Sequence, residues 1–453
     1  MHQEQKISVI GLGKLGAPLA AVLANKGHSV IGLDLNESFV DAINQKKAPV
    51  DEPGLQALIE SSKNLTATTD YETAIFESDI SFIIVPTPSL PDGMFNNAYV
   101  LKAVTEIGKV LRNKASYHLV VITSTVMPGS TNTVIKDALE SASHKKLGEH
   151  LGLCYNPEFI ALGTVIKNML TPDMILIGES DAKAGSMMAG IYQTVCENNP
   201  PIMRMNLTNA EITKIAVNTY ITTKISFANM LSDVCDRITD ADVDVVTNAM
   251  GLDQRIGQKY LKAATAYGGP CFPRDNIAFS ALAALVHART DLAIATDAIN
   301  DYQLDRMIAF INTHDKTKRI GVLGLSYKAE TSVVEKSFGI ALANRLTANG
   351  YTVSVHDPKA LPNADKELDA AIAQHRFVED CVNHSDILVI CTNWPEYQSN
   401  LTRALLDRPS NPRIIIDCWR LLPYDVISEI AKILYLGRGN DFFAESIGEL
   451  KYA

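Results

Sequence analysis

Lys6-Ile7-Ser8-Val9-Ile10-Gly11-Leu12-Gly13-Lys14-Leu15-Gly16 is the stretch whose reading decides the fold. The apolar run predicts a strand, and the glycines at GxGxxG spacing predict a tight turn. Gly16 to Asn25 predicts a helix that Gly27 closes. Ser29-Val30-Ile31-Gly32-Leu33 predicts the next strand, which ends at Asp34, 18 residues past Gly16. Gly11 permits the turn, Gly13 lets the backbone approach a pyrophosphate, and Gly16 lets helix and strand pack closely. Phosphates would then face a helix N-terminus, where free N–H groups and the helix dipole favour negative charge. A carboxylate at Asp34 accepts from ribose hydroxyls and repels a 2′-phosphate, so NAD is favoured over NADP. The expected cofactor set is Gly11, Leu12, Gly13, Leu15, Gly16 and Asp34.

Outward from this stretch, Ile80–Val85, Leu119–Ile122 and Met174–Ile177 predict further strands. Near-continuous apolar runs separated by helices imply a parallel sheet covered on both faces. The last third repeats the outline. Lys318 to Leu325 echoes Lys6 to Gly13, Ala343 to Gly350 echoes the first helix and its glycine, and Tyr351 to Asp357 echoes the strand ending at Asp34. This second half lacks GxGxxG and is not expected to hold a dinucleotide. Between the halves, Ile202 to Met250 contains neither glycine nor proline. Thr208-Asn209-Ala210-Glu211 has the form of a capping box. Apolar residues then recur at Ile212, Ile215, Tyr220, Ile225, Ala228, Leu231, Cys235 and Ile238. They predict one long helix, or two end to end, that bridges domains and forms a homodimer contact. The expected fold is α/β, with two Rossmann-like doubly wound domains, 1–205 and 313–453, joined by a long central helix in a dimerisation domain, 206–312.

The 453 residues are 47% hydrophobic and 20% charged, enough for packed cores and unlike a disordered chain. A net charge of −10 makes the chain a poor generic nucleic-acid binder. Met1 to Lys6 runs straight into a strand instead of forming an export signal. Ile7 to Ala24 is broken by Gly11, Gly13, Lys14, Gly16 and Pro18, so no membrane span is expected there. Seven scattered cysteines without a CxxC pair argue for the reducing cytoplasm, and against a disulfide framework or a metal site.

One of those cysteines stands apart. Tyr267-Gly268-Gly269-Pro270-Cys271-Phe272-Pro273-Arg274-Asp275 places Cys271 among glycines and prolines instead of in a periodic apolar element. Arg274 lies within one helical turn, and a nearby cation favours the thiolate, which is the nucleophilic form. Cys271 is therefore expected to be catalytic.

These stretches together resemble the UDP-glucose/GDP-mannose dehydrogenase family, NAD-dependent enzymes that oxidise the C6 alcohol of a nucleotide sugar to a carboxylate. The similarity runs in order through Gly11–Gly16, Asp51–Leu55, Ser124–Ser130, Asn156–Phe159, Lys214–Asn218, Gly268–Asp275, Gly324–Lys328 and Thr392–Tyr397. The resemblance implies that Cys271 carries the sugar aldehyde as a thiohemiacetal and then as a thioester, which water releases. It implies that Lys214 and Asn218 hold the reacting oxygen, and that Asp275 assists proton movement. Thr125 and Glu158 match residues around the nicotinamide and an ordered water, and Thr87 and Arg274 match cofactor contacts. Tyr260, Leu261 and Gly268 match the loop lining the nucleotide pocket, and Lys328 a substrate contact. It also implies that 313–453 binds the nucleotide sugar.

Three positions depart from the family pattern. Leu162 stands where a second glutamate usually follows Glu158. Glu335-Lys336-Ser337 inverts a cofactor-binding Arg-Glu-Ser. Asp417-Cys418-Trp419-Arg420 replaces Asp-Gly-Arg-Asn and shifts the arginine by one. UDP-glucose is the expected substrate, with UDP-N-acetylhexosamines and GDP-mannose as alternatives. A two-electron hydroxyacid dehydrogenase and a catalytically weak NAD- or nucleotide-sugar-binding regulator are the rival readings.

Overall fold

The computed structural model describes residues 4–160 and 162–439. It divides into two compact units, residues 1–216 and 217–453, and the division falls inside helix Leu207–Asp236.

In the first unit, strands β1 (Lys6–Ile10), β2 (Ser29–Leu33), β3 (Leu65–Thr68), β4 (Ile80–Ile83), β5 (His118–Ile122), β6 (Leu151–Tyr155), β7 (Ile175–Glu179) and β8 (Ile202–Asn206) form one sheet. Its order is β3-β2-β1-β4-β5-β6-β7-β8. Every pairing is parallel except β6 with β7. The expected parallel sheet therefore turns mixed beyond β6. The central strands are buried because helices cover both faces: Ile7, Val9, Phe82, Leu119 and Val121 pack to one side, Ile10, Ile83, Val120 and Ile122 to the other. The order reverses between β1 and β4, and at such a switch point the strand ends leave a crevice for a ligand.

The long apolar stretch from Ile202 does not begin as a helix. Ile202–Asn206 pairs with β7 as an edge strand, and the helix starts at Leu207 and runs for 30 residues. Thr208 and Glu211 form no capping box. Asn206 takes the capping role, its Oδ1 accepting from Asn209 N–H at 2.8 Å. Glu211 is fully buried and accepts instead from the N–H groups of Gly129 (2.6 Å) and Thr131 (2.8 Å). It thereby fixes the loop after β5.

In the second unit, strands β9 (Arg319–Leu323), β10 (Thr352–His356), β11 (Ala373–Gln374), β12 (Ile387–Ile390), β13 (Ile414–Asp417) and β14 (Lys432–Tyr435) form an all-parallel sheet, β11-β10-β9-β12-β13-β14. Two helices, Phe272–Leu285 and Asp291–Ile311, precede it. The C-terminal end of the long helix is tied down by a buried ion pair between Asp236 and Arg306. The second Asp236 oxygen accepts from Gly437 N–H at 2.8 Å. A buried carboxylate is tolerated because both oxygens are engaged. Arg420 does not face outward. It adopts φ +55° and bonds Asp242 at 2.6 Å and the Leu436 carbonyl at 3.1 Å. Among the described residues no helix is long and apolar enough to cross a membrane.

Candidate active site

The tight turn forms where the glycine spacing predicts. Gly11 follows β1 with φ +95°, and its N–H reaches the Leu33 carbonyl at 2.7 Å. A Cβ on Gly11 would stand 2.2 Å from the Ile84 carbonyl oxygen, and one on Gly16 would stand 1.7 Å from the Gly11 oxygen. Both positions are closed to any side chain. Gly13 is different, because a Cβ there would meet nothing within 4 Å. The loop backbone thus faces open space at the N-terminus of helix Gly16–Asn25, where a pyrophosphate would be favoured. Leu15 is the residue before that helix, and buried Leu12 lies under β2. The partly exposed Asp34 carboxylate accepts from Leu12 N–H at 2.6 Å and Asn36 N–H at 2.8 Å. A carboxylate has about four acceptor sites, so two remain for ribose hydroxyls.

The loops after β4 and β5 close the same end of the sheet. Thr87 is buried, and its hydroxyl donates to the Thr125 carbonyl at 2.7 Å. The Ser124 hydroxyl accepts from Val85 N–H at 2.9 Å and donates to the Val85 carbonyl at 2.7 Å. Glu211 holds the far side of the Thr125 loop, a role that its apparent place in a capping box concealed. Glu52, in the Asp51–Leu55 stretch, accepts from Val165 N–H at 2.6 Å and Gly163 N–H at 3.1 Å, so that stretch anchors the start of helix Val165–Leu170.

Glu158 lies just past β6. Burial pushes its carboxyl up to about 7, against the opposing pull of the Lys214 charge and a hydrogen bond from Tyr192. The Tyr192 phenol donates to Asn156 Oδ1 at 2.5 Å and lies 3.4 Å from Glu158 Oε1. Buried Lys214 donates to the Glu158 carbonyl at 2.7 Å, and its ammonium stands 4.7 Å from the Phe159 ring centre. The Asn-Pro-Glu-Phe turn and the start of the long helix therefore meet through one amine. Leu162 is partly buried among the apolar side chains of the first core.

In the second unit, Cys271 is the residue before helix Phe272–Leu285 and is exposed. The other six cysteines are buried or partly buried, and burial raises each of those thiols. The Cys271 sulfur stands at the positive end of a 14-residue helix, where thiolate charge is favoured. Its carbonyl accepts from Asp275 N–H at 2.8 Å. Asp275 is buried; its Oδ2 accepts from Asn218 Nδ2 at 2.6 Å and its Oδ1 lies 3.5 Å from Arg274 Nε. Asn218, Arg274, Asp275 and Cys271 thus form one connected group. Lys214 lies four residues before Asn218 on the same helix, so the two share a helix face.

The thiol loop is clamped from the second sheet. Gly269 N–H donates to the Glu335 carbonyl at 2.8 Å, and a Cβ on Gly268 would lie 2.2 Å from the Lys336 oxygen. A Cβ on Gly269 would meet the Tyr327 ring at 2.5 Å. Burial, with the Cys271 and Glu335 charges facing it, pushes the Tyr327 phenol well above its usual range. Lys328, the next residue, is partly buried. The altered Glu335-Lys336 pair therefore supplies backbone carbonyls to the glycines beside the thiol. Tyr260 is exposed with φ +63°, its ring edge-on to Phe272 at 6.2 Å, and Leu261 is buried beside it. Tyr192 and Tyr327 are not marked by the sequence as site residues, and Glu211 reads there only as a helix cap. A tyrosine on an ordinary helix or in a loop, and a carboxylate at cap spacing, carry no local pattern that shows their distant partners.

Three family models match the chain in order, described as the NAD binding, central and UDP binding domains of the UDP-glucose/GDP-mannose dehydrogenase family, over residues 5–196, 208–302 and 321–424. The UDP-glucose 6-dehydrogenase AglM of Haloferax volcanii is 35% identical over 426 residues, 92% of this chain and 97% of that protein. A GDP-mannose 6-dehydrogenase of Pseudomonas putida is 36% identical over 90% of this chain and 95% of its own length. The solved structure of a UDP-glucose dehydrogenase from Pyrobaculum islandicum superposes with a TM-score of 0.86 at 30% identity, covering 97% of this chain and 99% of that one.

Proposed function

The chain belongs to the UDP-glucose/GDP-mannose dehydrogenase family, and from that premise we propose that it oxidises the C6 alcohol of UDP-glucose to UDP-glucuronate in two steps through Cys271. It is an NAD-dependent nucleotide-sugar 6-dehydrogenase. The open cradle at Gly13 and the spare acceptor sites of Asp34 fit a dinucleotide. NAD bound there supplies a hydride acceptor.

The observation that supports the cysteine reading is an exposed Cys271 at the N-terminus of helix Phe272–Leu285, whose carbonyl accepts from the N–H of Asp275, the buried carboxylate that Asn218 and Arg274 face. Sulfur adds to the C6 aldehyde and keeps that reactive carbon attached while the first reduced cofactor leaves. Lys214 and Asn218 donate toward the C6 oxygen as its negative charge develops. Asp275, fixed by Asn218, exchanges a proton beside the sulfur. Once the carbon is a thioester, Glu158 takes a proton from the attacking water. Its carboxyl, held up near 7, is suited to that exchange at neutral pH. The reading of 313–453 as the nucleotide-sugar domain rests on the UDP-binding match.

Exposed Ile212, Tyr220, Phe227, Met230 and Val234 on the long helix support a homodimer built on that helix. Sedimentation should give twice the chain mass, and a monomer would contradict it. The substrate assignment is tested with purified protein, NAD and a panel of UDP- and GDP-sugars followed by NADH absorbance. UDP-glucose should give the highest kcat/KM. A larger value with GDP-mannose or a UDP-N-acetylhexosamine would replace it.

A further inference from the structure

Helix Ala182–Val195 lies against β6 and β7 and carries Tyr192, which is 6% exposed. Its hydroxyl has one proton and two acceptors within reach, Asn156 Oδ1 at 2.5 Å and Glu158 Oε1 at 3.4 Å. Asn156 cannot turn away. Its N–H is bonded to the Ile122 carbonyl at 2.8 Å and its amide Nδ2 to the Leu176 carbonyl at 2.9 Å. A bulky phenol buried this deeply needs a partner for its hydroxyl. A lone asparagine would have satisfied it, yet the hydroxyl also reaches the carboxylate.

We propose that Tyr192 is a positioning residue for Glu158: with Asn156 it forms a hydrogen-bonded chain that aims the carboxyl and shares one phenol proton with it. This rests on the reading of Glu158 as the group that takes a proton from water. Asn156 is the nearer acceptor and draws that proton, so Glu158 receives only part of it. The carboxylate is stabilised less than a full hydrogen bond would allow, and it remains a competent base.

The other groups that face the carboxyl are few. The Lys214 ammonium comes from the long helix and favours its charge. Cys196, after the tyrosine helix, is a thiol that burial and the Glu158 charge raise to about 11, so it is neutral at working pH. Lys26 faces Cys196 and pairs with Glu197. None of these shares a hydrogen bond with both Asn156 and Glu158.

The two members of the chain predict shifts of opposite sign. Tyr192→Phe removes the donor, so Glu158 stays protonated to higher pH. The acid limb of kcat should move up by about half a pH unit, less than one full neutral hydrogen bond would give. Asn156→Leu removes the competing acceptor and gives the phenol proton to Glu158, so the acid limb should move down. Neither should change KM for NAD more than about twofold, since no cofactor contact is altered. In a Glu158→Gln background Tyr192→Phe should change kcat little further. Tyr192 as a packing residue only would instead lower Tm and leave both limbs in place, and that result overturns the proposal. Limbs that move in the same direction also overturn it. If wild-type protein forms NADH but Glu158→Gln retains full turnover, it is the role of Glu158 that fails, not the hydrogen-bonded chain.

Discussion

The two sheets begin the same way and part within a few residues. In the first, Gly11 N–H bonds the Leu33 carbonyl at 2.7 Å, and Gly16 packs its Cα against the Gly11 oxygen. In the second, Gly324 N–H bonds the His356 carbonyl at 2.9 Å, and Gly339 packs against the Gly324 oxygen, a Cβ there falling 2.0 Å away. Each turn carries a positive φ, +95° at Gly11 and +103° at Gly324. Each second strand is followed by an aspartate, Asp34 or Asp357. Yet four residues separate Gly11 from Gly16, whereas a long loop runs from Gly324 to Gly339. That loop includes Tyr327, Glu335 and Lys336, the groups gathered around the thiol glycines.

The aspartates show what this does. Asp34 is partly exposed and has acceptor sites to spare. Asp357 is 2% exposed and saturated. It accepts from the N–H groups of Leu325 (2.7 Å), Ser326 (2.9 Å), Lys359 (2.9 Å) and Ala360 (2.7 Å), and from the Trp394 indole at 3.2 Å. One carboxylate keeps acceptor sites open and its counterpart is consumed in holding a loop. The same strand–turn–helix plan thus leaves an open turn in one half, the proposed cofactor site, and a scaffold in the other.

This contrast can be broken by paired substitutions. The largest effect belongs to Asp357→Ala. It orphans several buried donors, each costing about 1–3 kcal/mol, so urea unfolding should show a loss of about 3 kcal/mol or more. KM for NAD in the surviving folded protein should be unchanged. Asp34→Ala should do the reverse, with KM for NAD rising about tenfold or more, as for the loss of a charge-assisted hydrogen bond, and little change in unfolding. Equal effects on NAD from both would erase the distinction. Smaller again are the opposed shifts of about half a pH unit expected for Tyr192→Phe and Asn156→Leu.

Much of this was legible in the sequence because it is written in local spacing. The GxGxxG turn, its aspartate, the repeated outline and the unusual surroundings of Cys271 all lie within short windows. Long-range pairing was not legible. Ile202–Asn206 reads as the start of a helix because it lacks glycine and proline, but an open sheet edge at β7 recruits it as a strand. Glu211 sits at the spacing of a capping box, yet the loop after β5 offers it two N–H groups and wins. The antiparallel pairing of β6 with β7 follows from how the chain returns, which no residue pattern records. Tyr192 and Asn156 are 36 residues apart, and only the packing of their elements brings them together.

In the proposed mechanism one sulfur carries the sugar carbon through both oxidations. Acid quenching during turnover, digestion and mass spectrometry of the Cys271 peptide test it most directly. A nucleotide-sugar acyl adduct on Cys271, two NADH per acid released, and loss of turnover in Cys271→Ala are expected. An unmodified Cys271, with Cys271→Ala still yielding two NADH per sugar, would contradict it.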